Sequence, residues 1–583
     1  MSICMALSPV CADCMHARSS PTAIRCAGSH RKASVACNLL IFPSPCRFPR
    51  RRTNPPGRAQ KMSILIQNGY VIPAAKAAHL PRADILVREG RIAAIGVDLL
   101  GSPGIGGEGL EIVDASDRLV LPGFVNAHTH SNESFEQGFY DALPLEIWLM
   151  HKYPPFALPQ LEERAHYLRT MILAIESLRS GVTTVQDDLI NQPGDPAAFD
   201  GAAAAYRDLG LRASITTSMG DRDMLEPLPW AKDMLDPELH ARLATVRARP
   251  TADHLALFER NFDKWSGTAN DRLRVILGPV GPQWCSDALM QAATEISLAR
   301  GISVHTHTLE SKTHAVQADQ IYGKPLVEHL DDIGVLTPNF TLNHAVWLTD
   351  PEIALLGERG SCMTHNPLSN LKLGAGIARI PDLLAAGVPI GLGTDGTSTS
   401  DRADMFRSLA LAAVTHRAGE MDHTRWPTAE DAFAMATTGA ARTAMLGDDI
   451  GTLEVGKKAD IILIDRSDYG LIPLHKPVQQ LTYAVNSEAV RTVLVDGVVV
   501  MRERELTMID ERAMKNEIRE AAEDYLKVHV PRMEEAAKPW DPYWKAFQLR
   551  VAHTAVPASS APVRLPCGCT VAMPHTKTPF ACG

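Results

Sequence analysis

Between residues 122 and 450 this chain alternates. Strand-like runs at Phe124 to His130, Gly181 to Asp187, Arg212 to Met219, Arg274 to Pro279, Ile302 to His307, Thr341 to Val346, Cys362 to His365 and Pro389 to Thr394 are separated by Ala- and Leu-rich helical stretches. Eight strand and helix units are what a (β/α)8 TIM-like barrel requires, and residues at the C-terminal ends of its strands point into one mouth. A doubly wound open sheet is the competing architecture. It would leave the polar residues that end these runs spread over strands it cannot bring together.

A second pattern flanks the first. Short strands with glycine turns occupy Ile64 to Gly69 and Asp84 to Ile95, and comparable ones return at Ala459 to Asp465 and Val490 to Val500, with Asp496-Gly497 as a hairpin turn. The expected organisation is therefore a small β-sandwich domain formed from segments on both sides of the barrel: 62–121 and 451–505 around 122–450. A helical region with a charged face follows at 506–554. Residues 1–61 hold ten Lys or Arg, one acid and no apolar periodicity, so they read as a disordered leader, either organelle-targeting or an upstream region foreign to the fold. The Pro/Ser/Cys-rich tail, 555–583, reads the same way.

Composition narrows the function classes. A formal net charge of -9 gives no global case for a nucleic-acid partner, and no apolar run reaches the length of a membrane span. Nine of the eleven cysteines lie in the two end segments, leaving Cys285 and Cys362 in the body. The body is thus no disulfide scaffold, and a reducing, cytoplasmic setting is expected.

The chemistry lies in what ends the runs. His128 and His130 stand at i and i+2 on a strand, so both imidazoles face one side, the geometry for two nitrogens on one metal. A second such triplet, His305-Thr306-His307, ends another strand, and Thr394-Asp395-Gly396 follows the closing one. Three imidazoles and a carboxylate leave room for water on Zn2+ or a related divalent ion. Glu310, three residues after His307, and His344 converge on the same mouth; each is either a proton-transfer group or a supporting polar residue. Trp148, Trp284 and the loop Ser131 to Tyr140 suggest a partly aromatic pocket for a flat heterocycle or aryl compound.

These stretches carry a family resemblance. Leu121-Pro122-Gly123-Phe124-Val125-Asn126-Ala127-His128-Thr129-His130, His305-Thr306-His307-Thr308-Leu309-Glu310, His344, His365-Asn366-Pro367-Leu368-Ser369-Asn370-Leu371-Lys372-Leu373 and Gly391-Leu392-Gly393-Thr394-Asp395-Gly396 resemble the amidohydrolase superfamily, in the branch of chlorohydrolases, S-adenosylhomocysteine deaminase and guanine and cytosine deaminases. The resemblance covers residues 62 to 505. It implies metal binding by His128, His130, His307 and Asp395, with His307 rather than His305 as the ligand at the Glu310 spacing. It also implies that Asp395 takes a proton from the attacking water, that Glu310 protonates a substrate nitrogen, and that His344 orients the water. His365 would contact substrate, unless its Asn-Pro-Leu-Ser-Asn run is a structural turn. Binuclear relatives carry a carboxylated lysine on strand four; Arg274 to Pro282 offers none, so one divalent ion per subunit is expected, as zinc, with Fe2+, Co2+ or Mn2+ as substitutes. A homodimer is a further expectation of the resemblance.

The chain departs from the branch at Gly281-Pro282-Gln283, where many deaminases have Gly-Pro-His. Gln283 donates and accepts hydrogen bonds but cannot act as an imidazolium. The leading reading is a metal-dependent aminohydrolase that attacks a C–N bond of an aromatic or heterocyclic small molecule, with Gln283, Trp284, Trp148 and His365 at the substrate. The alternative is an amide, urea or carbamate hydrolase or a triazine dechlorinase; the third is a non-catalytic metal-bearing protein.

Overall fold

The computed structural model describes residues 63–106, 109–190 and 195–556. The expected leader and nearly all of the expected tail lie outside these residues. Five strands open the described chain: β1 (Ser63–Val71), β2 (Leu80–Arg88), β3 (Arg91–Gly96), β4 (Leu110–Asp114) and β5 (Arg118–Pro122). The barrel follows with β6 (Phe124–His130), β7 (Val182–Asp187), β8 (Arg212–Met219), β9 (Leu273–Pro279), β10 (Val304–Thr308), β11 (Phe340–His344), β12 (Cys362–His365), β13 (Ile390–Leu392) and β14 (Asp395–Gly396). After it come β15 (Ile461–Asp465), β16 (Val490–Val495), β17 (Val498–Arg502) and β18 (Glu505–Leu506).

Strands β6 to β13 pair in parallel in chain order, and β14 returns to pair with β6, Asp395 opposite Thr129 and Gly396 opposite His130. That last pairing closes the sheet and removes the open-sheet alternative. The eighth barrel strand is split where the chain changes partner: Gly393 N–H donates to the His365 carbonyl on β12, and Thr394 N–H donates to Asn126 Oδ1 on β6. The run expected at Pro389 to Thr394 is interrupted there for this reason.

The other sheet is a mixed β-sandwich with strand order β18-β17-β16-β15-β5-β1-β2-β3, and β4 beside β1. It takes strands from both sides of the barrel. Alternation along β15 tells how it sits: Ile461 and Leu463 join the sandwich core with Ile66, Ile85 and Val120, while Ile462 and Ile464 face the barrel core. Asp496 and Gly497, both at positive φ, make the two-residue turn between β16 and β17.

Arg212 at the start of β8 reaches Asp460 just before β15, Nη2 to Oδ1 at 2.9 Å and Nε to Oδ2 at 3.3 Å, with both side chains buried. Asp460 also accepts the Asp496 N–H at 2.8 Å. Removing one member of such a buried pair strands the other, so Asp460→Ala is expected to lower the unfolding free energy by about 3–5 kcal/mol in urea denaturation.

Helices Glu511–Val528, Val530–Ala537 and Asp541–His553 occupy the expected helical region. The last two, with the turn Lys538–Trp540 between them, contribute Met533, Trp540, Tyr543, Trp544 and Phe547 to packed cores; the Trp540 group meets Met150 and the segment Leu228 to Leu243. Among the described residues no helix is long and apolar enough to cross a membrane.

Candidate metal centre and active site

Strand order and register assemble the polar residues. His128 and His130 point inward from β6, and its neighbour β14 brings the Asp395 carboxylate between them, Oδ1 at 3.5 Å from His128 Nε2 and 3.2 Å from His130 Nε2. From β10, across the mouth, the His307 ring stacks on His130 at 9° with the two Nε2 atoms 3.3 Å apart. Leu309, His344 and Asp395 hold left-handed φ values of 49°, 70° and 63°, so the backbone bends at the strand ends that carry the site.

This cluster fits a divalent ion. Two ligand atoms about 2.0–2.1 Å from a tetrahedral zinc lie about 3.4 Å apart, close to the spacings just given. The other nitrogen of each ring is occupied: His130 Nδ1–H donates to the Asp188 carbonyl at 2.6 Å, His307 Nδ1–H to the Val280 carbonyl at 3.1 Å, and His128 Nδ1 meets His305 Nε2 at 2.8 Å. Each Nε2 is thereby turned to the cluster. His128 Nε2 is buried with no hydrogen-bond partner among the described residues. Burial pushes the His128 imidazole down to about 3 and His307 well below its ordinary range, which keeps both neutral as ligands must be. Burial opposes charge on His130 too, but Asp395, Glu133 and Asp188 outweigh it and push that ring up to about 10. A cation entering the cluster would displace that proton. At Asp395 burial would raise the carboxyl; the His128 and His130 rings outweigh it and hold it well below the usual carboxylate range.

Glu310 and His344 sit beside the cluster, and one ligand atom from each of Glu310, His344 and Asp395 fits within 4.8 Å of the others. His344 Nδ1–H donates to Asn370 Oδ1 at 2.9 Å, leaving Nε2 without a partner among the described residues. Burial, with Asp395, Glu146 and Glu133 nearby, pushes the Glu310 carboxyl well above the usual carboxylate range. Above these groups opens a cavity of about 230 Å³ whose wall includes Trp148, Met150, Met224, Gln283, Trp284 and Leu373.

The comparisons with known proteins agree with this geometry. The amidohydrolase family model matches residues 119–500. The chain belongs to that family. The 5'-deoxyadenosine deaminase of Methanosarcina mazei is 31% identical over 463 residues, 79% of this chain and 98% of that protein. The 5-methylthioadenosine/S-adenosylhomocysteine deaminase of Desulforudis audaxviator is 33% identical, over 78% of this chain and 96% of its own. Among solved structures, a zinc-bound adenosine deaminase from Xanthomonas campestris superposes with a TM-score of 0.70 at 28% identity, covering 80% of this chain and 99% of that one. This amidohydrolase is a metal-dependent hydrolase acting on carbon–nitrogen bonds, and a divalent ion is its cofactor.

Within the amidohydrolase, three of the four substrate residues expected from sequence line the cavity: Trp148, Gln283 and Trp284. His365 does not. It ends β12 facing the interior, 1% exposed, its ring 6.1 Å from His416. The turn after it reaches the site instead through Ser369, whose hydroxyl donates to Asp395 Oδ2, and Asn370, which holds His344.

Sequence reasoning also passed over Asp188, Glu133 and the backing role of His305. Asp188 follows the last residue of β7, and its Oδ2 lies 3.3 Å from His307 Nδ1. Its signal was the doubled acid at a barrel-strand end, Asp187-Asp188. Glu133 is fully buried three residues past His130; it accepts from Tyr153 and Ser398, and a Cβ at Gly396 would collide with its carboxylate. His305 supports His128 from behind, so His305→Ala is expected to weaken metal retention about 10- to 100-fold in a chelator competition while the fold persists.

Proposed function

We propose that this amidohydrolase is an aminohydrolase that releases ammonia from an amino-substituted aromatic heterocycle, with one zinc ion held by His128, His130, His307 and Asp395. The observation that carries the reading is the grouping of Glu310, His344 and Asp395 beside the imidazole cluster, at the floor of a cavity walled by apolar and aromatic side chains. The deaminase names of the two relatives support it, as does zinc in the Xanthomonas enzyme.

A divalent ion held by His128, His130, His307 and Asp395 would lower the pKa of a water and so provide a nucleophile at neutral pH. The residues do the proton work. Asp395, pinned by Ser369 and the Gly396 N–H, accepts the proton of the attacking water on a carboxylate oxygen. His344, held by Asn370, presents Nε2 to the water and to the developing oxyanion. Glu310 donates its carboxyl proton to a ring nitrogen beside the carbon attacked, so that negative charge does not build on the ring. The proton gathered at Asp395 then leaves with the amine, and the hydroxyl proton of the intermediate passes to the Glu310 carboxylate as the carbonyl forms, which restores the acid. Trp148 and Trp284 flank the ring, and Gln283, 3.4 Å from His314, supplies a neutral hydrogen-bonding group. The reading extends to a homodimer, on the family likeness, and to a cytoplasmic setting, on the scarcity of cysteine in the body of the chain.

Gln283 also favours a second reading. An amide in place of an imidazole at the cavity wall suits hydrolysis of an amide, urea or carbamate, or loss of chloride from a triazine, by the same water. Products separate the two: the zinc-loaded enzyme, given a panel of aminated purines, pyrimidines, pterins and triazines, is expected to release ammonia. A substituted amine or halide, with no ammonia from any heterocycle, moves the assignment to the second reading.

A further inference from the structure

The charges of this cavity are confined to its floor. His130, His307, His344, Glu310 and Asp395 lie there with His314, whose imidazole burial pushes down to about 3, so it is neutral. The wall above is built from Leu145, Trp148, Met150, Met224, Trp284 and Leu373, with Gln283, Thr399 and Tyr153 as its polar members. None of these carries a charge, since burial pushes the Tyr153 phenol well above its ordinary value.

The cations around the cavity are committed elsewhere, and among the described residues none lines it. Lys152 Nζ lies 2.8 Å from Glu136 Oε1, and Glu136 also accepts from Tyr140 and Tyr525. Arg169 donates to the Asn132 carbonyl at 3.1 Å and contacts His166 Nδ1. Arg222 donates to the Cys285 carbonyl at 2.8 Å and lies over the Tyr322 ring. The nearby acids are occupied too: Glu146 accepts the Ser311 hydroxyl at 2.6 Å, and Glu133 is bonded to Tyr153 and Ser398.

We infer that the substrate is electrically neutral away from the group attacked: a flat amino-heterocycle whose substituent is an uncharged alkyl, thioether or aryl group. The inference rests on the deaminase reading above and narrows it. A carboxylate, phosphate or ammonium on the substituent would leave water and meet no countercharge in this wall, whereas an apolar substituent meets two methionines and two tryptophans. The wall therefore discriminates against zwitterionic or phosphorylated versions of the same ring system while accepting apolar ones.

The test uses the zinc-loaded enzyme with amino-heterocycles that share one ring and differ only at the end of the substituent: methyl, carboxylate or ammonium. Ammonia release is expected from the methyl member, with kcat/KM at least about 100-fold lower for either charged member, mainly through KM. Met224→Arg is expected to raise kcat/KM for the carboxylate member about tenfold or more over the parent enzyme. Thermal shift with unreactive deaminated analogues of the same three compounds reads the wall without requiring turnover. Equal shifts and equal kcat/KM for neutral and charged members would overturn the inference. A clear neutral preference in the shifts with no ammonia from any member would keep the inference and remove the deaminase reading.

Discussion

Asparagine in place of Asp395 is expected to lower kcat about 10³- to 10⁴-fold in enzyme saturated with zinc. Asparagine keeps the shape, so the contacts to Ser369 and to the Gly396 N–H can largely persist. What it removes is the negative charge between His128 and His130 and the carboxylate proposed to accept the proton of the attacking water. The measurement is steady-state ammonia release at saturating zinc, with metal content determined on the same sample. That pairing separates the loss of a ligand from the loss of a base. A fully loaded Asp395→Asn enzyme with undiminished turnover would falsify the proton assignment outright.

Glu310→Gln should retain its metal and lose about 10²- to 10⁴-fold in kcat, with KM little changed. The carboxyl stands next to His344 and Asp395 and is not one of the four proposed ligands, His128, His130, His307 and Asp395, so its replacement leaves that set intact. Glutamine can still donate a hydrogen bond; it cannot surrender a proton. The deficit should therefore be of similar size for loss of ammonia and loss of chloride from the same ring, because the proton goes to the ring nitrogen and not to the leaving group. A kcat close to that of the parent enzyme would mean that Glu310 orients the substrate rather than donating to it.

The barrel was legible because its signals are local. The strands are short runs set between helical stretches, and the residues with chemistry at or just past the ends of several of them, His130, His307, His344 and Asp395, came out as one cluster because a closed parallel barrel has only one C-terminal mouth. The sandwich was legible for a similar reason, since its short strands are marked by glycine turns on both sides of the barrel, Asp496-Gly497 among them; that the apolar run Ile461 to Ile464 divides between two cores is seen only in the structure. What escaped is governed by packing across long separations. That Asp188 backs His307 depends on where β7 stops relative to β10. That His365 is buried while Ser369 and Asn370 reach the site depends on how tightly the turn after β12 winds, which the run Asn366-Pro367-Leu368 does not reveal. The C-terminal helices read as a charged amphipathic stretch, and only the assembled chain places Trp540, Trp544 and Phe547 against the Met150 side of the cavity.

The central claim is that one divalent ion, held by three histidines and Asp395, drives deamination in this cavity. The most direct measurement is metal content and ammonia release together, on protein begun at Met62, before and after removal of the ion by a chelator and its replacement with zinc. The account predicts one equivalent of metal per chain, ammonia release that disappears with the ion, and recovery in proportion to zinc returned. Ammonia released at the same rate by the metal-free protein would contradict it.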